Sequence, residues 1–304
     1  MSTLFVIFLI CIPKNSFILF FSHDISRFLT RHFSLVLSCF LCHNKEKQHI
    51  QKGTAGNHAG RGITQMQKIL GPVRAAMEKY DMISFGDRIA VGVSGGKDSL
   101  VLLAAMAALR DFYPKKFQVT ALTADPQFGG APTDYSQIQE LCRRLSVPYR
   151  IRRTSLGQII FEDRKEANPC SLCARMRRGI LHNMAKESGC NKIALGHHYD
   201  DAVETFFMNL FNSGSLDCFA PKSYLSRKEL WLIRPLIFCG EKQIAAAADR
   251  CHLPVAKSKC PADGNTSRQK TKELIAALEK DYPDLKAKVT GAMERAGIAH
   301  WGAK

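Results

Sequence analysis

The stretch Arg88-Ile89-Ala90-Val91-Gly92-Val93-Ser94-Gly95-Gly96-Lys97-Asp98-Ser99 decides how this chain is read. Residues 88–93 form an apolar run of the kind that makes a buried strand. Ser94 to Ser99 is a glycine-rich, hydroxyl-bearing loop, and Leu100 to Leu109 has a helical pattern. A strand that feeds through such a loop into a helix aims backbone N–H groups and the positive end of a helix dipole at one point, which suits a phosphate. Gly95 and Gly96 permit close backbone approach, and Lys97 adds a point charge. The loop is not a Walker A motif. That motif has Gly five residues before Gly96, where Val91 stands, and Ser or Thr after the Lys, where Asp98 stands.

Outward from the loop, apolar runs alternate with helical patterns. Met66–Met82 reads as an amphipathic helix and 87–93 as a strand. Strands are expected at 117–124, 148–153, 192–196 and 230–233. Helices are expected up to about 110 and at 133–145, 170–187, 200–211, 241–251, 267–279 and 283–295. This order predicts an α/β fold, a parallel sheet flanked by helices with a helical C-terminal extension. Ligands of such sheets bind at the carboxyl ends of the strands. Polar clusters fall there: Ser94–Ser99, then Asp125 after Ala124, then Gly196-His197-His198-Tyr199-Asp200-Asp201. Asp200 and Asp201 are candidate Mg²⁺ ligands, and Asp200 is a candidate N-cap. His197 or His198 is positioned to move a proton or donate to a phosphate.

Eleven cysteines, an odd number without a clean secretory signal, argue against a disulfide framework. Cys142, Cys190, Cys218, Cys239 and Cys251 read as small buried hydrophobes. Cys170-Ser171-Leu172-Cys173 opens a basic helix carrying Arg175, Arg177 and Arg178. Helix dipole and arginines there are expected to lower the thiol pKa. Zinc, an iron–sulfur cluster or a dithiol redox pair all remain open for this motif. Cys260 sits in a polar Gly- and Pro-containing loop, an unusual place for a core thiol. Three thiols without a fourth fit a closed zinc site poorly and a four-iron cluster with one open iron well.

The first 65 residues hold seven basic and two acidic residues, so the remainder carries +11 of the total +16. That excess suits a polyanion, with nucleic acid the first choice. Residues 1–65 read as a poorly structured extension, with translation starting at Met66. Their apolar runs fall short of the roughly 18 residues that span a bilayer. No stable membrane association is expected, and a cytoplasmic location is expected. Cys39-Phe40-Leu41-Cys42-His43 matches a haem-attachment pattern but reads as coincidence.

The loop Ser-Gly-Gly-Lys-Asp-Ser resembles the PP-loop of the ATP pyrophosphatases. With Cys-Ser-x-Cys-x-Arg-x-Arg-Arg-Gly-Ile-Leu at 170–181, Ala-Leu-Gly-His-His-x-Asp-Asp at 194–201 and Ile-Arg-Pro-Leu at 233–236, residues 66–298 resemble the tRNA 2-thiocytidine synthetase family. The resemblance implies a PP-loop fold over 66–298, followed by a tail at 299–304. It implies ATP- and Mg²⁺-dependent thiolation of cytidine 32 in the anticodon loop, with a [4Fe–4S] cluster on Cys170, Cys173 and Cys260. ATP is expected on Ser94, Gly95, Gly96, Lys97, Asp98, Ser99, Ala124, Asp125, Gly196 and His197. Lys97, Asp98, Asp200, Asp201 and Cys260 are the expected catalytic residues. Arg175, Arg177 and Arg178 are expected to hold RNA phosphates. The implied partners are tRNA, a sulfur donor such as a cysteine desulfurase, and a second copy of the chain.

Two departures narrow the resemblance. Some family members carry a further cysteine where Lys257 stands. Related uridine thiolases share the loop and the cysteines but often carry terminal Cys-x-x-Cys zinc pairs, and none follows Cys260. Competing readings are a lysidine synthetase-like tRNA ligase, a non-catalytic metal-binding RNA module, and a sulfur-transfer enzyme with a non-RNA acceptor.

Overall fold

The computed structural model describes residues 8–12, 16–20, 56–164, 169–256, 260–261 and 267–302. Two compact units divide between Ile63 and Thr64. In the first, β1 (Phe8–Ile12) and β2 (Ser16–Phe20) pair antiparallel with Phe8 opposite Phe20. Helix α1 (Gly56–Lys79) begins before Met66. The Cys39–His43 pattern lies outside the described residues.

From Thr64 on, the organising element is a six-stranded sheet of order β5-β4-β3-β6-β8-β7. Its strands are β3 (Asp87–Gly92), β4 (Phe117–Asp125), β5 (Tyr149–Arg153), β6 (Lys192–Ala194), β7 (Lys222–Leu225) and β8 (Leu230–Ile233). All neighbours pair parallel except β7, which returns antiparallel along β8. The parallel core matches the expectation. The edge strand β7 was not foreseen, because Lys222-Ser223-Tyr224-Leu225 is too short and polar to announce itself.

The chain runs from β3 outward through β4 to β5, then returns to place β6 on the other side of β3. That reversal opens a crevice at the carboxyl ends of β3 and β6. Val91 pairs with Ala194, so the loops after these two strands emerge side by side.

Helices α2 (Lys97–Phe112), α3 (Ser136–Arg144), α4 (Pro169–Glu187), α5 (Tyr199–Ser213), α6 (Glu241–Arg250), α7 (Ser267–Asp281) and α8 (Leu285–Arg295) complete the unit. In α1, Met66, Ile69, Leu70, Val73, Ala76 and Met77 recur at helical spacing and are buried. Helix α2 is apolar nearly all round, with Leu100 to Ala107 buried, as a helix enclosed on several sides must be. Val203 and Phe207 of α5 close on Ile275 of α7, with Leu285 and Val289 packed against them.

The expected end of the domain at residue 298 moves outward. Trp301 is 1% exposed, donates its indole N–H to Phe219 O at 3.0 Å, and accepts at its own carbonyl from Tyr80 Oη at 3.2 Å. An aromatic ring of that size enclosed on all sides belongs to the core rather than to a tail. Cys142, Cys190, Cys218 and Cys239 are buried and Cys251 partly so, as read from their apolar contexts. No helix among the described residues is long and apolar enough to cross a membrane.

Candidate active site

The glycine-rich loop closes on itself through Ser99. The Ser99 hydroxyl accepts from Ser94 N at 3.1 Å and donates to Gly96 O at 2.9 Å, and the Ser94 hydroxyl accepts from Gly96 N at 3.3 Å. Gly95 has φ +90°, a conformation that L side chains rarely adopt. Gly196 is required for a different reason: a Cβ there would stand 3.1 Å from the backbone of Asp98 and of Ser99. Only glycine lets the end of β6 lie directly on the first turn of α2.

Two cavities meet at this loop. One, of about 300 Å³, is lined by Ser94, Asp98, Ser99, Ala124, Arg177, Arg178, Gly196, His197 and Asp201. The other, of about 360 Å³, is lined by Ser94, Gly96, Phe128, Tyr135, Phe161, Cys170, Cys173, Arg177 and Cys260. Ser94, Ala174 and Arg177 belong to both walls. The fold therefore brings Cys260 to Cys170 and Cys173 from far along the chain, and sets all three thiols beside the phosphate loop. Among the described residues no three His, Cys, Asp or Glu side chains converge tightly enough to hold a single metal ion. A cluster makes no such demand, since each thiolate takes a different iron; three thiols on one cavity wall fit it.

The expected lowering of the thiol pKa does not hold at Cys173. Burial pushes it up, and the lowering by the Arg177 guanidinium does not offset burial together with the neighbouring Cys260 and Cys170.

The carboxylates divide by role. Asp98 Oδ1 is buried without a well-aligned hydrogen bond, 3.1 Å from Lys97 Nζ and 3.8 Å from His198 Nε2. Asp201 lines the same cavity, so two carboxylates share a wall with the phosphate loop, a donor set that suits a hard cation such as Mg²⁺. Asp200 is engaged by the C-terminal helices. It accepts the Glu241 backbone N–H at 2.7 Å and pairs with Lys286 at 2.9 Å, joining α5 to α6 and α8. Burial raises its pKa, but Lys286 and the Glu241 amide outweigh that and hold it below the usual range.

Asp200 is not the N-cap. His198 is: its Nδ1 accepts from Asp201 N at 3.4 Å, and Asp201 accepts from His198 N at 3.0 Å, a reciprocal capping box. Asp125 is engaged within its own loop. It is fully buried and accepts from Gln127 N, Thr133 N and Thr133 Oγ1, so it shapes its own loop while Ala124 faces the cavity. Arg177 and Arg178 line the cavities, whereas Arg175 is exposed and lines neither.

Three further groups were assigned no role from the sequence. Arg268 of α7 pairs with Asp201 and lies 3.9 Å from Glu204. Glu204 is buried, and burial together with Asp201 pushes its pKa up to about 7. Arg234, 5% exposed, donates from Nε to His197 Nδ1 at 3.3 Å. Its place directly after β8, at a strand's carboxyl end, was the available signal.

Residues 65–273 match the family model of a PP-loop domain. A tRNA-cytidine(32) 2-sulfurtransferase of Syntrophotalea carbinolica is 39% identical over 221 residues, 72% of this chain and 85% of that protein. The protein of the same name from Geobacter sulfurreducens is 38% identical over 230 residues, 75% of this chain and 89% of its own. The chain belongs to the tRNA-cytidine(32) 2-sulfurtransferase family. Among solved structures, a U34-tRNA thiolase, NcsA from Methanococcus maripaludis with its [4Fe-4S] cluster, superposes with TM-score 0.63 at 23% identity. That likeness covers 77% of this chain and 80% of the thiolase, and it shows the fold that this family shares.

Proposed function

We infer that this protein is an ATP-dependent tRNA sulfurtransferase that replaces the C2 oxygen of cytidine 32 by sulfur, as the activity named for its relatives requires. The observation that carries the reading is the shared wall of the two cavities. Ser94 and Arg177 serve both the phosphate loop and the three thiols, so activation and sulfur delivery take place side by side.

In this reading the Ser94–Ser99 loop holds the ATP phosphates on backbone N–H groups, and Lys97 neutralises charge that develops on them. Asp98 and Asp201 would hold Mg²⁺ against the phosphates. The C2 oxygen of the base attacks the α-phosphate and pyrophosphate leaves, so a poor oxide leaving group becomes AMP. Most of the catalysis is positioning and charge neutralisation. Cys170, Cys173 and Cys260 would hold the [4Fe–4S] cluster, which when bound supplies an iron free of protein ligands for carrying sulfur. Arg177 and Arg178 hold RNA phosphates at the cavity mouth, and a splayed anticodon-loop base enters between them. Asp200 and Asp125 serve as scaffold. A cysteine desulfurase as sulfur source, a homodimer as the assembly and the cytoplasm as the location complete the proposal.

The test is nucleoside mass spectrometry of bulk tRNA from a strain lacking the gene, with and without residues 66–304 supplied in trans. Loss and return of 2-thiocytidine supports the reading. Loss of a thiouridine instead moves the target base, and no change in any thiolated nucleoside overturns it.

A further inference from the structure

Arg234 is a buried guanidinium that no carboxylate pairs among the described residues. Its Nη1 donates to Ala220 O, its Cζ lies 4.7 Å from the Phe219 ring centre, and its Nε–H is spent on His197 Nδ1 at 3.3 Å. The His197 ring packs on the same Phe219 ring at 5.1 Å. Burying a cation without a counter-charge is costly, so its retention calls for a use.

An Arg N–H has only a proton to offer, so Nδ1 of His197 must present its lone pair. The ring proton then sits on Nε2, for which the chain provides no acceptor among the described residues. His197 lines the cavity that holds Ser94, Asp98 and Ser99. We propose that Arg234 is a positioning residue that locks His197 as the neutral Nε2–H tautomer, so that His197 donates a hydrogen bond to the phosphate oxyanion and moves no proton.

The surroundings agree. Burial first, then Arg234 after β8, Arg268 of α7, the adjacent His198 and Arg178 of α4 all oppose a charge on this ring, and its pKa is pushed down to about 3. A neutral imidazole donates without losing its proton and is unchanged across the working pH range. His198, buried as the N-cap of α5, is already committed by its own Nδ1. The phosphate as acceptor rests on the proposed function; the tautomer does not.

Two measurements on the full-length chain test this. Long-range ¹H–¹⁵N spectra of histidine-labelled protein should show the His197 ring as neutral Nε2–H from pH 5.5 to 8, and Arg234→Met, which removes the donor to Nδ1, should release the tautomer so that an Nδ1–H population appears. A wild-type ring that protonates near 6.5, or that carries its proton on Nδ1, overturns the proposal. In ATP-dependent AMP formation with tRNA, His197→Gln keeps an N–H donor and should stay within about tenfold of wild type, whereas His197→Leu should lose about 10²–10³-fold. Equal, deep losses in both variants, with native spectra, would mean that a proton is transferred and the proposal fails. If the wild type thiolates no cytidine, the functional reading falls while the spectroscopic result stands on its own.

Discussion

Lys97 Nζ lies 3.3 Å from Glu241, a residue 144 positions further along the chain, and 3.1 Å from its own neighbour Asp98. Glu241 in turn holds Lys272 at 2.6 Å. The phosphate loop is thus tied by charge to α6 and α7. Burial lowers the Lys97 pKa, but Asp98 and Glu241 outweigh it and hold the ammonium above its ordinary value, so Lys97 is charged throughout the neutral range.

In the proposed reaction Lys97 neutralises charge on the phosphates, although it lines neither cavity and is held by Asp98 and Glu241. On replacing Lys97 by Ala we expect AMP formation to fall about 10²–10³-fold, the usual loss of one electrostatic contact to a developing charge. Single-turnover release of labelled AMP measures it, and a loss below threefold would remove Lys97 from the chemistry.

Cys260→Ala should abolish 2-thiocytidine formation while leaving the fold intact, because the residue sits on a cavity wall and not in the sheet. Circular dichroism should be unchanged, and bound iron should fall with activity. Full activity would refute the three-thiol reading.

Glu204 makes stability fall with rising pH. Its native pKa of about 7 lies above the ordinary 4.5, so its contribution is complete below about pH 4.5 and is lost as pH rises through 7. Glu204→Gln should therefore raise Tm above pH 7, by about 2–4 °C for each kcal/mol regained, and leave it nearly unchanged at pH 4. Calorimetry at the two pH values separates this from a uniform shift, which would count against it.

Lys192→Met should destabilise by about 3–5 kcal/mol, as removal of one partner from a buried ion pair does. Lys192 sits 2.7 Å from Asp87 with both side chains nearly fully enclosed, and also donates to Met82 O at 2.8 Å. Urea unfolding gives the value, and a change under 1 kcal/mol would show that Asp87 finds relief elsewhere. Asn191 Nδ2, already 2.8 Å from Asp87, is the candidate for that relief.

The amino-acid sequence by itself determined the parallel core and the phosphate loop. Apolar runs of strand length, glycines at a sharp βα turn and helical spacing after it are local patterns, and local sterics and burial act on neighbours in the chain. The three cysteines were legible as types, since thiols in polar contexts stand out. What only the tertiary structure decided is which charged groups face each other. Asp200 and Asp201 are adjacent in sequence, yet one is taken by Lys286 and the other by Arg268, both from C-terminal helices. Asp125 turned inward to its own loop, and Arg234 reached His197 from the end of the neighbouring strand β8. Charge interactions depend on distance and solvent exclusion, not on chain separation, so side chains of one type at neighbouring positions acquire different chemistry only once the fold has closed around them.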